Sequence, residues 1–195
     1  MTLKNYILKP FETIQEKTLL WIGISTILIS SLFAYLTHAR FDGVIDMHVG
    51  SKVLWYQPLL DNIVNTLCLT LFLYLLSLLQ PTKTRIIDLL NVSLIARIPI
   101  YFTLITNIGG VNQETGEYII ANIDNPAAIS NLPMINLIVL GVGSLLFFGA
   151  LIFIGILIYK GYKTATNTKK ISHLILLIPA VLIAEIVSKL IVYKY

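Results

Sequence analysis

Five long apolar runs divide the chain, at residues 18–37, 59–80, 87–106, 134–160 and 173–193. A helix needs about 20 mostly apolar residues to cross a bilayer, and each run is long enough. Within each run the apolar positions are continuous rather than alternating, which predicts helices and not barrel strands. The expected fold class is therefore all-α: a polytopic membrane protein, a bundle of five transmembrane helices. The fourth run is long enough to tilt or to extend beyond the membrane.

Ahead of these runs, residues 1–17 mix Lys4, Lys9, Glu12, Glu16 and Lys17 with apolar positions. Leu3, Tyr6, Ile7, Phe11 and Ile14 can share one side, and Pro10 interrupts the pattern. This predicts a short amphipathic cytoplasmic segment at the membrane surface, followed by a membrane domain over 18–195. The first apolar run exceeds a signal-peptide core, and no small-residue cleavage site follows it, so no cleaved leader is expected.

The links differ in character. Residues 38–58 form a sizeable loop of mixed charge. Residues 81–86 make a tight turn, so the second and third helices should be antiparallel neighbours. The 107–133 link is polar, with Gly109, Gly110, Gly116 and Pro126, and residues 118–123 suit a short strand or an interfacial turn. The 161–172 link is short and basic. No internal repeat is visible, and an odd helix count argues against the inverted-repeat plan of many transporters. Small residues suggest packing faces: Gly23, Ser30 and Ala34 in the first helix, Gly141, Ser144 and Gly155 in the fourth. Pro99 and Pro179 each interrupt a helical hydrogen bond.

Composition agrees with the pattern. Hydrophobic residues make up 56% of the chain and charged residues 12%, about half the charged share of a soluble domain. The net charge of +4 comes without an aromatic-basic patch. It suits lysines facing anionic lipid, and no nucleic acid is expected. A single cysteine, Cys68, excludes an internal disulfide. Lys4, Lys9, Lys17, Lys83, Arg85, Lys160, Lys163, Lys169 and Lys170 gather on one side, while Arg40, Lys52, Lys189 and Lys194 fall on the other. The 107–133 link holds Glu114, Glu117 and Asp124 but no basic residue. The positive-inside rule then puts the N-terminus in the cytoplasm and the C-terminus outside.

Three stretches carry a family resemblance. They are LKPFETIQEKTLLWIG before and into the first span, RIIDLLNVSLIARIPIYF in the third, and GILIYKGYKTATNTKKISHLILLIPAVL from the fourth to the fifth. Their order, spacing and five-helix topology resemble the Yip (Ypt/Rab-interacting) family of integral membrane proteins. In eukaryotes that resemblance implies Golgi or endosomal trafficking and contact with Rab-type GTPases. A long cytosolic N-terminal tail and an Asp-Leu-Tyr-Gly-Pro motif are lacking here, which points away from Rab contact. The compact form is similar to the bacterial branch, which implies a bacterial inner membrane.

The chemistry-bearing residues are the charged and amide groups inside the apolar runs. Charges at membrane depth are costly and face a partner or a wet cavity. Arg97 and Glu185 lie at depths that differ by only about 3 Å if their helices run the same way, so direct contact between them is expected. Three readings stay open: a pair that fixes helix registry, a path for a proton, ion or substrate, or Glu185 turned to Lys189 one turn away. Asp61, Asn62 and Asn65 begin the second helix, with Asp61 expected as a solvated end or helix-start acid, or else as part of the lining of a polar vestibule. Asp88 and Asn91 sit at the cytoplasmic end of the third. Asp88 lies about 13 Å from Arg97 along the helix and on its opposite side, so those two cannot pair. The buried polar candidates are thus Arg97, Glu185, Asp61, Asn65, Asp88 and Asn91.

In the first loop, His38, Asp42, Asp46 and His48 are metal-ligand types but match no ligand spacing. A local Arg40–Asp42 turn with surface histidines is expected instead, and His173 should be interfacial. No nucleophile–base pair, phosphate-cradling loop or HExxH helix occurs. No catalytic residue, cofactor or metal is therefore expected. The leading expectation is a non-enzymatic membrane organiser or adaptor acting through helix and lipid contacts. Its partners would be membrane lipids, other membrane proteins or a second copy. The alternative is a small transporter or channel subunit using Arg97 and Glu185.

Overall fold

The computed structural model describes residues 3–50, 52–80, 83–169 and 171–195. Two short helices open the chain, α1 (Leu3–Leu8) and α2 (Pro10–Thr13), split where the sequence places Pro10. The long α3 (Glu16–Leu36) follows, then a minimal hairpin of β1 (Ala39–Arg40) and β2 (His48–Val49), then α4 (Gln57–Ser77). The third span is broken into α5 (Ile86–Ala96), α6 (Ile98–Tyr101) and a 3-10 stretch from Phe102 that gives way to non-helical backbone at Asn107, Ile108 and Gly109, before α7 (Val111–Ala121). Next come α8 (Pro126–Ser130), α9 (Met134–Thr166), α10 (Ile171–Ile175) and α11 (Leu177–Val192). Among the described residues, five helical units are long and apolar enough to cross a membrane: Glu16–Leu36, Gln57–Ser77, Ile86–Ala121, Met134–Thr166 and His173–Val192. The chain is an all-α, multi-pass membrane protein.

Both intramembrane prolines mark breaks. Pro99 has no N–H to give, and the helix divides at Arg97, so α5 ends and α6 begins there. Pro179 follows the break between α10 and α11. A second corner lies at Gly109 and Gly110, with φ of 75° and 78°, a left-handed backbone that glycine adopts at little cost. Asn107 holds this corner: its Nδ2 donates to Thr37 O at 2.7 Å and its Oδ1 accepts from Gln113 N at 3.0 Å. Residues 118–123, expected as a strand or interfacial turn, instead complete α7 as far as Ala121. The left-handed pair Gly109–Gly110 separates the apolar third span from this polar helix, which packs on α9.

α5 is the hub. It packs on α3, α4 and α9, while α11 packs on α4. The α4–α5 adjacency matches the short 81–86 link, whose Pro81 and Thr82 lie outside the described residues. Two glycines let helices approach α5 closely. A Cβ at Gly23 of α3 would stand 2.5 Å from Leu94 Cβ, and one at Gly161 of α9 would stand 2.7 Å from Val92 Cγ2. The first-helix face of Gly23, Ser30 and Ala34 is buried as expected. The fourth-helix face is not: Gly141, Ser144 and Gly155 are exposed. The buried side of α9 runs through Gly143, Ala150, Ile154, Leu157 and Gly161. That seven-residue spacing leaves the other small residues outward.

The 37–50 segment is the feature that positions the site. Its strands pair antiparallel, Ala39 with Val49 and Arg40 with His48, and the tip between them turns into the bundle. Ala39, Phe41 and Val44 are wholly buried. The Phe41 ring meets Tyr101 edge-on, with centroids 5.3 Å apart.

Candidate functional site: a charged clamp on a buried hairpin

A hairpin tip inside a helix bundle brings backbone N–H and C=O groups with no ladder to join. Such backbone persists at membrane depth only where protein groups satisfy it. The helices supply those groups. Asn65 Nδ2 donates to Phe41 O at 2.8 Å, and Phe41 N donates to Asp61 Oδ2 at 3.3 Å. Arg97 Nε donates to Val44 O at 3.1 Å, and Ile45 N donates to Glu185 Oε2 at 2.9 Å.

The last two bonds fall on a single peptide group, the one joining Val44 to Ile45. The cation meets its carbonyl, where the peptide dipole is negative; the carboxylate meets its N–H, where the dipole is positive. Arg97 and Glu185 were expected to touch each other, and they form no direct ion pair. The depth estimate brought them to one level, but the hairpin tip stands between them. Glu185 also reaches Lys189 Nζ at 3.2 Å, and Lys189 bonds Asp46 Oδ2 of the hairpin at 2.5 Å. The Glu185–Lys189 alternative therefore holds together with the peptide contact.

Arg97 is 0% exposed. Its Nη1 donates to Asn62 O and Thr66 Oγ1, both at 3.2 Å. Its guanidinium carbon lies 5.9 Å from the Phe41 ring centre and 5.8 Å from that of Tyr101. Planar donors and aromatic faces suit arginine rather than lysine. Glu185 reaches its place over Gly43, where a Cβ would collide with the carboxylate.

Asp61 is not a solvated helix-start acid; it is 0% exposed. It accepts from Arg40 Nε at 3.1 Å and from Arg40 Nη2 at 2.8 Å, a two-pronged geometry with little freedom. The local Arg40–Asp42 turn therefore does not form. Asp42 instead takes His48, whose Nδ1 lies 2.7 Å from both carboxylate oxygens. That hydrogen bond holds the His48 imidazole above its ordinary pKa, against burial and against Arg40. Tyr195 closes this end: its carbonyl accepts from Arg40 Nη1 and Gln57 Nε2, each at 3.2 Å.

The remaining candidates lie elsewhere. Asp88 is half-buried rather than buried, and pairs with Arg85 through bonds of 3.0 and 2.7 Å. It stands in the first turn of α5, where a carboxylate is favoured and its neighbours reach water. Asn91 is buried and donates to Glu16 O at 3.2 Å. Among the described residues no group of three His, Cys, Asp or Glu side chains could hold a metal ion.

The hairpin site thus joins Arg97, Glu185, Asp61 and Asn65 and leaves out Asp88 and Asn91. It adds Phe41, Gly43 and Val44, which carried no intramembrane signal because their segment reads as a loop, and Thr66, a neutral hydroxyl inside the second span. Four large apolar residues, Phe41, Val44, Ile45 and Met47, within seven positions of a charged loop are the trace that could have exposed the hairpin residues. Comparison with protein-family models, with curated proteins and with solved structures gave no match.

Proposed function

We propose that this chain is a non-enzymatic membrane organiser or adaptor of the compact, bacterial Yip-like kind. It acts through helix and lipid contacts, in a bacterial inner membrane, with its N-terminus in the cytoplasm and its C-terminus outside. The observation that carries this reading is that four intramembrane side chains satisfy the backbone of one hairpin, Arg97 and Asn65 donating to its carbonyls and Glu185 and Asp61 accepting from its N–H groups. Their use is structural. The transporter alternative draws on two buried atoms with no hydrogen-bond partner among the described residues, Arg97 Nη2 and Asn65 Oδ1.

Proteoliposomes loaded with a pH-sensitive dye separate the two readings. The organiser reading expects no proton or ion leak above empty vesicles. A leak that disappears in Glu185→Gln would replace it with the transporter. Orientation is checked independently. Reporter fusions after Asn125 and after Tyr195 should report outside, and a fusion after Thr166 inside. An inside signal at Tyr195 would reverse the assignment.

A further inference from the structure

At the end of the bundle that carries α1 and α2, two cavities adjoin. The first is an apolar groove of about 650 Å³ whose walls include Ile14, Ile22, Ile98, Phe102, Leu146 and Gly149. The second is a polar vestibule of about 270 Å³ lined by Glu16, Arg85, Asp88, Asn91 and Thr164. Ile14 and Leu19 line both. Along α9 the groove runs from Leu145 to Leu157, a length of about 18 Å. One leaflet of a hydrocarbon core has about that depth, roughly half of 30 Å. The vestibule begins one turn further on, at Gly161. Tyr6 and Ile7 of α1 form part of the groove wall, and Lys160 Nζ ties that segment down by donating to Leu8 O at 3.0 Å.

From this geometry we infer a phospholipid site, with an acyl chain in the groove and a primary-amine headgroup, phosphatidylethanolamine, in the vestibule. It deepens the lipid-contact reading above and rests on it. The headgroup follows from charge and donor balance. Two carboxylates, Glu16 and Asp88, share one guanidinium, Arg85, so the lining carries surplus negative charge. Asn91 is 3% exposed, and its Oδ1 has no hydrogen-bond partner among the described residues. A ligand that answers these groups brings a cation with N–H donors. An ethanolamine ammonium has three, whereas a choline headgroup has none. The Arg85 side chain, 64% exposed, stays open toward the lipid phosphate.

Native mass spectrometry of the delipidated protein with added dioleoyl lipids tests the site. Phosphatidylethanolamine should bind about tenfold more tightly than phosphatidylcholine, the size of one lost charged hydrogen bond, and more tightly than phosphatidylglycerol. Asn91→Ala should shrink the ethanolamine preference. Gly149→Leu projects into the groove where a Cβ meets nothing, and should abolish binding without lowering the lipid-free Tm. Leu146→Trp, at a groove residue that is already exposed, fills the same space if Gly149→Leu does not fold. Gly141→Leu, open but outside the groove, should bind like the wild type. Equal affinity for ethanolamine and choline lipids, stronger binding of the glycerol lipid, or full binding by both groove variants would overturn the proposal. A leak in the proteoliposome experiment would remove the parent reading and leave this binding result standing.

Discussion

Arg97→Ala is expected to be the most damaging single substitution in the hairpin site, lowering stability in detergent by about 3–5 kcal/mol. The side chain is fully buried and donates to Val44 O, Asn62 O and Thr66 Oγ1. Its loss leaves the Val44 carbonyl without its donor, leaves the Glu185 carboxylate without the cation across the peptide, and opens a cavity beside Phe41 and Tyr101. Arg97→Lys should recover little, because a single ammonium cannot reproduce the fork and the stacking together. The double variant Arg97→Leu, Glu185→Leu is informative. Two side chains in direct contact would be replaced well by an apolar pair. Here the Val44–Ile45 peptide would lose its partner at each end, so the double variant should be less stable than either single one. Recovery in the double variant would mean that the two charges touch and the peptide does not mediate. Denaturant or thermal titration in one detergent supplies all the values.

Gly43→Ala is expected to cost about 1–3 kcal/mol, a large effect for one added methyl group. The new Cβ would collide with the Glu185 carboxylate. A flexible side chain can swing away, but Glu185 then gives up the Ile45 N–H and leaves it part-buried without an acceptor. The cost is therefore one of lost hydrogen bonding rather than of overlap. In a Glu185→Ala background the methyl group has nothing to displace, and Gly43→Ala should be close to neutral. An undiminished cost in that background would place the effect in the Gly43 backbone instead.

The spans were legible because crossing a bilayer demands length and continuous apolarity, which need no tertiary knowledge. Arg97, Glu185 and Asn65 were legible as buried polar groups for the same reason: each stands inside an apolar run. What they bind was not. Depth arithmetic ranks pairs of helical residues and has no means of inserting a loop between them, so Arg97 and Glu185 looked like each other's partner. Asp61 looked solvated because it opens its helix, yet Arg40 and the Phe41 N–H come to it from the folded-in hairpin. Asp88 was grouped with the buried set from its place in the third run, although a first-turn acid beside Arg85 has a local explanation. The polar helix α7 was hidden because it lacks an apolar stripe. What defines it is the glycine corner before it and the Asn107 bonds that brace that corner.

The central claim is that two buried charges hold the Val44–Ile45 peptide inside the bundle. Residue-resolved hydrogen exchange of the Ile45 amide, in detergent or nanodiscs, tests it most directly. The account predicts exchange as slow as that of amides within α4, and a large acceleration in both Arg97→Ala and Glu185→Gln. An Ile45 amide that exchanges in the wild type as fast as that of exposed Asp124 would contradict it.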